Sequence, residues 1–166
     1  MDKYYTILSK VCAWTLFAMT ILGALNAILR YSSRFTGQVW SSNAFLEGQW
    51  YLFSTIFLLG AGYTLYKDKH VRVDVLYSRL SKTGQNRINV IGTLVFAIPF
   101  CILGLWSSVD FVYNSWAVSE MSADAGGLPR YPVKTLIPLG FLLLLLQCLV
   151  WLKRLLFTSE EGVFHD

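Results

Sequence analysis

The sequence predicts an all-α membrane protein: four transmembrane helices with short interfacial amphipathic helices between them. Three observations carry this. Four long apolar stretches, 11–29, 50–66, 88–113 and 136–152, fill most of the chain and are separated by three short polar loops. Each is near or above the ~17–25 residues that an α-helix needs to cross ~30 Å of hydrocarbon. The composition is 55% hydrophobic and 14% charged, with positive mean hydropathy, too little charge for a soluble domain of this length. The basic residues also gather on alternate sides of the expected crossings.

The helices are expected at about 7–30, 40–66, 86–115 and 135–157, in a single transmembrane domain over 1–166 that packs as one compact bundle. No stretch is rich enough in Pro, Gly or Ser to be a linker, and no internal repeat suggests an inverted-repeat transporter core. The first apolar stretch is longer than a signal-peptide core and lacks an A-x-A pattern before Arg30-Tyr31-Ser32-Ser33-Arg34, so it reads as a retained helix. Ser41 or Ser42 offers a cap for the second helix, which begins either as an outer interfacial piece over 40–49 or as one long tilted helix. Pro99 in the third helix removes a backbone hydrogen bond and favours a kink. Pro138 falls in the first turn of the fourth helix, where proline is tolerated. Gly23, Gly60, Gly62, Gly92 and Gly104 offer small surfaces for close helix packing. The run 142–146 is apolar all round and should face lipid or a large apolar partner.

Orientation follows from charge. Lys3 and Lys10, the loop residues Lys67, Lys69, Arg72, Arg79, Lys82 and Arg87, and the tail residues Lys153 and Arg154 share one side of a four-crossing chain. Arg30, Arg34, Arg130 and Lys134 share the other. The positive-inside rule puts both termini and the middle loop in the cytoplasm. The net charge of +4 is a product of this topology, not a nucleic-acid footprint. Aromatic residues, Trp50 among them, border the loops as interface anchors. In the middle loop Asp74 is placed to cap an amphipathic element with Val71, Val73, Val75 and Leu76 on one side and Arg72 and Arg79 on the other, suited to an anionic inner leaflet.

Reactive chemistry is sparse. Both histidines, His70 and His165, lie outside the expected crossings, so a haem-binding bundle is not supported. No carboxylate stands at mid-helix, whereas a proton-coupled carrier wants a buried acid. Asp110 lies towards the outer interface. The thiols Cys12, Cys101 and Cys148 fall inside apolar stretches without a C-x-x-C and read as small hydrophobes. Asn26, Thr55, Thr93 and Gln147 read as hydrogen-bonding groups between helices. No metal cluster, phosphate-cradling loop or nucleophile–base pair can be assembled, and Gly126-Gly127 reads as a turn. No cofactor and no catalytic residue is assigned. Such a chain suits an accessory subunit that buries an apolar face against a larger membrane partner.

Several motifs carry a family resemblance. Arg30-Tyr31 closes helix one, Glu47 precedes Trp50 at the entry to helix two, and Leu59-Gly60-Ala61 follows within it. Lys69-His70-Val71-Arg72-Val73-Asp74 opens the middle loop and Ile137-Pro138-Leu139-Gly140 opens helix four. In this order and spacing they resemble the small membrane subunit, DctQ type, of tripartite ATP-independent periplasmic (TRAP) transporters. The stretch 125–132 is similar to the branch assigned to mannitol or chloroaromatic-type acids, which speaks of ancestry rather than of substrate. The resemblance implies a non-enzymatic scaffold in the bacterial inner membrane. Its implied partners are a large elevator-type membrane subunit that binds substrate and sodium, and a periplasmic binding protein that delivers a carboxylate or sulfonate. On that reading Arg34, Glu47, Glu120, Asp124, Arg130 and Lys134 are contacts for the binding protein, and Arg30, Trp50, His70, Arg72, Asp74 and Pro138 are structural or subunit-interface positions. Arg30 and Glu47 could instead pair and fix the outer ends of helices one and two. The alternatives are a stand-alone homo-oligomeric small carrier and a membrane redox enzyme.

Overall fold

The computed structural model describes residues 2–37, 40, 42–67 and 77–157; the side chains of residues 2–5 lie outside this description. The described chain is helical, with one isolated antiparallel bridge between Met121 and Pro129 and no strand.

Helix α1 is Asp2–Thr36, about two turns longer at each end than the apolar stretch 11–29. Its 35 residues rise ~52 Å, well beyond ~30 Å of hydrocarbon, so it must tilt or overhang. It stops at Gly37, whose φ of +67° suits glycine and whose N–H bonds to the Ser33 carbonyl at 3.1 Å. Helix α2 is Asn43–Tyr66, with Ser42 as its cap: the hydroxyl accepts from the Ala44 N–H at 3.2 Å. The mixed segment 40–49 therefore supplies the first turns of one long helix from Asn43 onwards.

The third hydrophobic unit is a relay. Helix α3 (Lys82–Gly92), capped by Ser81, runs into a π-helical segment, Thr93–Ala97, and then into α4 (Ile98–Ala117). Pro99 sits in the first turn of α4. Its ring lacks an N–H and crowds the carbonyl four residues back, and the wider π turn before it opens the room. A single turn, α5 (Tyr131–Lys134), precedes α6 (Leu136–Phe157).

Among the described residues three units are long and apolar enough to cross a membrane: Thr6–Thr36, Lys82–Ala117 and Tyr131–Phe157. Helix α2 falls short of that standard. Glu47, Gln49, Ser54, Thr55 and Thr64 dilute its apolar character. The expected amphipathic element of the middle loop, with His70, Arg72 and Asp74, lies outside the described residues.

The expected compact bundle gives way to an open row. Helix α1 packs on α2, α2 on α6, and α6 on α4, while α1 makes no comparable packing with α4 or α6. Among the described residues buried apolar side chains are accordingly few, Cys101, Val133 and Cys148. Small residues set the spacing. A Cβ on Gly140 would meet Leu58 Cβ at 2.9 Å and its carbonyl oxygen at 3.2 Å, so α2 and α6 touch backbone to backbone. Gly62 lies against Leu143 and Gln147, and Gly104 is covered by the Phe141 ring. Gly60 and Gly92, also expected at interfaces, face open space. Asn26, Thr93 and Gln147 are buried, but the hydrogen bonds expected between helices give way to local ones at both threonines: Thr93 and Thr55 return their hydroxyls to the carbonyls of Asn89 at 2.7 Å and Tyr51 at 2.9 Å, one turn back in their own helices. Leu142 and Leu146 of the leucine run are exposed.

Candidate docking surface at the outer cap

The connection between α4 and α5 folds back over the start of α2. Helix α4 ends in a Schellman-type turn: Ser119 takes a φ of 46° and the Glu120 N–H reaches the Ser115 carbonyl at 3.0 Å. A small hairpin follows. The Ser122 N–H bonds to the Leu128 carbonyl at 3.2 Å, and the Arg130 N–H to the Glu120 carbonyl at 2.8 Å. Its tip is a turn in which the Gly127 N–H bonds to the Asp124 carbonyl at 3.0 Å and Gly126 holds a φ of +71°. The Gly126-Gly127 pair is thus a turn, as its sequence suggested.

Glu47 binds this hairpin to α2. It is 1% exposed, one turn inside the helix. Its Oε1 accepts from the Ser122 hydroxyl, and its Oε2 accepts from the Leu128 N–H at 2.5 Å. The Ser122 bond, then the Leu128 N–H, then the positive charge of Arg130 hold the Glu47 carboxyl below the ordinary glutamate range, against the opposing effect of burial. A Cβ on Gly127 would lie 2.8 Å from Glu47 Oε2 and 2.5 Å from Ser122 Cβ, so the clasp closes only over glycine. Three more bonds seal it: Ser42 Oγ to the Gly126 carbonyl at 3.3 Å, Asn43 Nδ2 to the Ala125 carbonyl at 3.1 Å, and the Tyr51 hydroxyl to the Pro129 carbonyl at 2.8 Å.

A second ion cluster braces the other side. Glu120 accepts from the Lys134 ammonium and from the Ser115 hydroxyl at 2.7 Å. Lys134, then Ser115, pull its carboxyl below the usual range. The Lys134 ammonium also lies 4.1 Å from the centre of the Phe111 ring. Trp116 stacks edge-on with Tyr131 at 4.5 Å and donates its indole N–H to the Thr135 hydroxyl at 2.9 Å.

The structure separates the charged residues singled out in the sequence. Glu47 turns inward, and its burial leaves no carboxylate surface for an outside partner. Its partners are Ser122 and Leu128, whereas Arg30 stands exposed on α1, so the considered Arg30–Glu47 pair does not form. Glu120 and Lys134 pair with each other, and Arg130 is half-buried beside Ser122, its Nη2 at 3.4 Å from that hydroxyl. Arg34 and Asp124 are exposed. Trp50 packs edge-to-face with Tyr51 at 4.4 Å, and Pro138 lies in the first turn of α6. Ser115, Ser122 and Tyr51 were missed by the sequence reading. The readable signal was an acid placed one turn into an apolar helix, which demands partners from elsewhere.

The arrangement is a clasp of hydrogen bonds and ion pairs joining the ends of membrane helices. Among the described residues no cluster of three His, Cys, Asp or Glu side chains is placed to hold a metal. Fold and site together define a multi-pass helical membrane protein. The chain belongs to the DctQ family: residues 19–158 match the model described as tripartite ATP-independent periplasmic transporters, DctQ component. This is a family of transport components, not of enzymes. No curated protein and no solved structure matches the chain.

Proposed function

We propose that this chain is the non-catalytic scaffold subunit of a sodium-coupled, binding-protein-dependent importer of organic acids, carboxylates or sulfonates. It packs against a large elevator-type membrane subunit in the bacterial inner membrane, and its outer cap helps to dock the periplasmic binding protein. The observation that carries the scaffold reading is the open row of helices. It leaves large apolar side chains exposed along every long helix, among them Trp14 and Phe17 on α1, Phe57 on α2 and Trp106 on α4. An immobile wall with two apolar faces suits lipid on one side and a partner on the other.

Four crossings remain the better reading despite the polar content of α2. Tyr51 near its start bonds to Pro129 beside α5, and Tyr66 at its end lies 5.1 Å from the Arg154 guanidinium near the end of α6. Gly62 and Gly140 fix the contacts between. Helix α2 thus runs parallel to α6 over the same depth, and if one spans the bilayer so does the other. Both termini then face the cytoplasm with the basic middle loop. At the outer end Arg34 and Asp124 are free to meet a binding protein, with Glu120, Arg130 and Lys134 in half-buried support.

The test is a mild-detergent pull-down of the tagged chain from its native membrane, followed by reconstitution. A large multi-helix protein should co-purify in near-equal amount, and organic-acid uptake should require both proteins, sodium and the binding protein. Uptake by the purified chain alone in liposomes would overturn the scaffold reading.

A further inference from the structure

We propose that Lys67 and Arg154, set around the ring of Tyr66, form a headgroup site for an anionic phospholipid at the inner end of α2 and α6. The inference rests on the reading that both helices cross the membrane. Tyr66 is the last residue of α2, and Arg154 stands in the last turn of α6. The Arg154 guanidinium carbon lies 5.1 Å from the ring centre and the Lys67 ammonium 5.4 Å from the same centre. One aromatic ring thus gathers two cations from two helices, and both are exposed. Among the described residues neither has a carboxylate partner.

Helix ends alone do not neutralise this pair. Each C-terminus contributes only about half a negative charge, so two helix ends against two full cations leave a net positive site. Lys153 and Arg87 add further positive charge at the same end; Asn86, the neighbour of Arg87, donates to the Leu155 carbonyl at 3.2 Å and so brings the start of α3 beside the end of α6. Among the described residues the site has no anion. On the same face of α6 as Arg154, Phe157 is exposed and Val150 and Trp151 are half-buried. A phosphodiester with acyl chains satisfies both demands. The phosphate sits between the cations, and the chains lie along the helix surface. A small soluble phosphate would meet only the first.

Native mass spectrometry of the full-length chain tests this, with dioleoyl phosphatidylglycerol and dioleoyl phosphatidylcholine as probes. Phosphatidylglycerol should be retained preferentially. Lys67→Gln with Arg154→Gln should weaken it roughly thirtyfold, at about 1 kcal/mol per cation near the surface. Lys67→Arg with Arg154→Lys should hold it, which guards against a mere folding defect, and Lys10→Gln should leave it unchanged. Equal retention of the two lipids, or unaltered retention by the double glutamine variant, overturns the proposal. Displacement of the lipid by millimolar glycerol phosphate alone overturns it in favour of a soluble phosphate ligand. Labelling of Lys67→Cys by an impermeant maleimide, from one side only, reports separately on the crossing of α2. Labelling from the outer side would sink the topology whatever the lipids do.

Discussion

A carboxylate buried one turn into an apolar helix is unfavourable unless its lone pairs are met by donors, and Glu47 meets them with a serine hydroxyl and a backbone N–H from 75 and 81 residues away. Its folded-state pKa lies below the ordinary value of 4.5, so its contribution to stability is complete above that value and is lost as pH falls through the lower, folded-state value. Glu120 shifts in the same direction and adds to the same acid limb. Thermal melts of the detergent-solubilised chain should therefore be flat near neutrality and fall below about pH 4.5. Glu47→Gln should flatten that acid limb and lower the melting temperature at neutral pH, and Asp124→Asn, at an exposed site, should do neither. At Ser119 the left-handed backbone costs a non-glycine residue roughly 1–2 kcal/mol, so Ser119→Gly should stabilise the chain by about 1 kcal/mol in denaturant titration. The sequence announced Glu47 and the glycine turn separately. Their meeting was not legible, because the pairing of residues so far apart depends on how α4 and α2 come to lie side by side.

At the scale of elements, helix positions were largely readable because apolar length and capping chemistry are local properties. Ser42 and Pro138 act at their own addresses. Helix contacts were less readable, because a glycine advertises room but not a neighbour. Gly60 faces open space, whereas Gly140, which the family motif placed only at the opening of a helix, meets the backbone of α2. Gly140→Val should therefore separate α2 from α6 and cost about 1–3 kcal/mol, measured as the shift in denaturation by sodium dodecyl sulfate. Gly60→Ala, in an open helical position, should be neutral or stabilise by up to about 1 kcal/mol. Equal effects from the two substitutions would refute backbone contact at Gly140.

For the whole molecule the departure from expectation is the row. Composition announces a membrane protein, yet says nothing about whether its helices close on themselves, since lipid satisfies an apolar face as well as a protein does. Spin labels placed singly at Trp14→Cys, Phe57→Cys and Trp106→Cys in nanodiscs should all be accessible to dissolved oxygen. The decisive site is Phe57, on an inner helix of the row and 66% exposed. A closed bundle would shield at least one label. Addition of the large membrane subunit should shield one face of the row and leave the other in lipid.

The π segment before Pro99 works as a spacer in the helix's numbering. Cys101, Ser108 and Ser115 are buried at intervals of seven along α4, and stepping back by seven more lands on Leu94, which is 48% exposed. The buried residue is Thr93 instead. The wide turn absorbs one residue, so the sequence count slips by one while the inward face stays in line. Deleting one residue of 94–97 should therefore leave a plain α-helix with Thr93 still turned inward and Asn86 still beside α6. Adding a further residue there, beyond the one the wide turn absorbs, should instead rotate everything upstream by about 100° and swing the basic end of α3 away from the row.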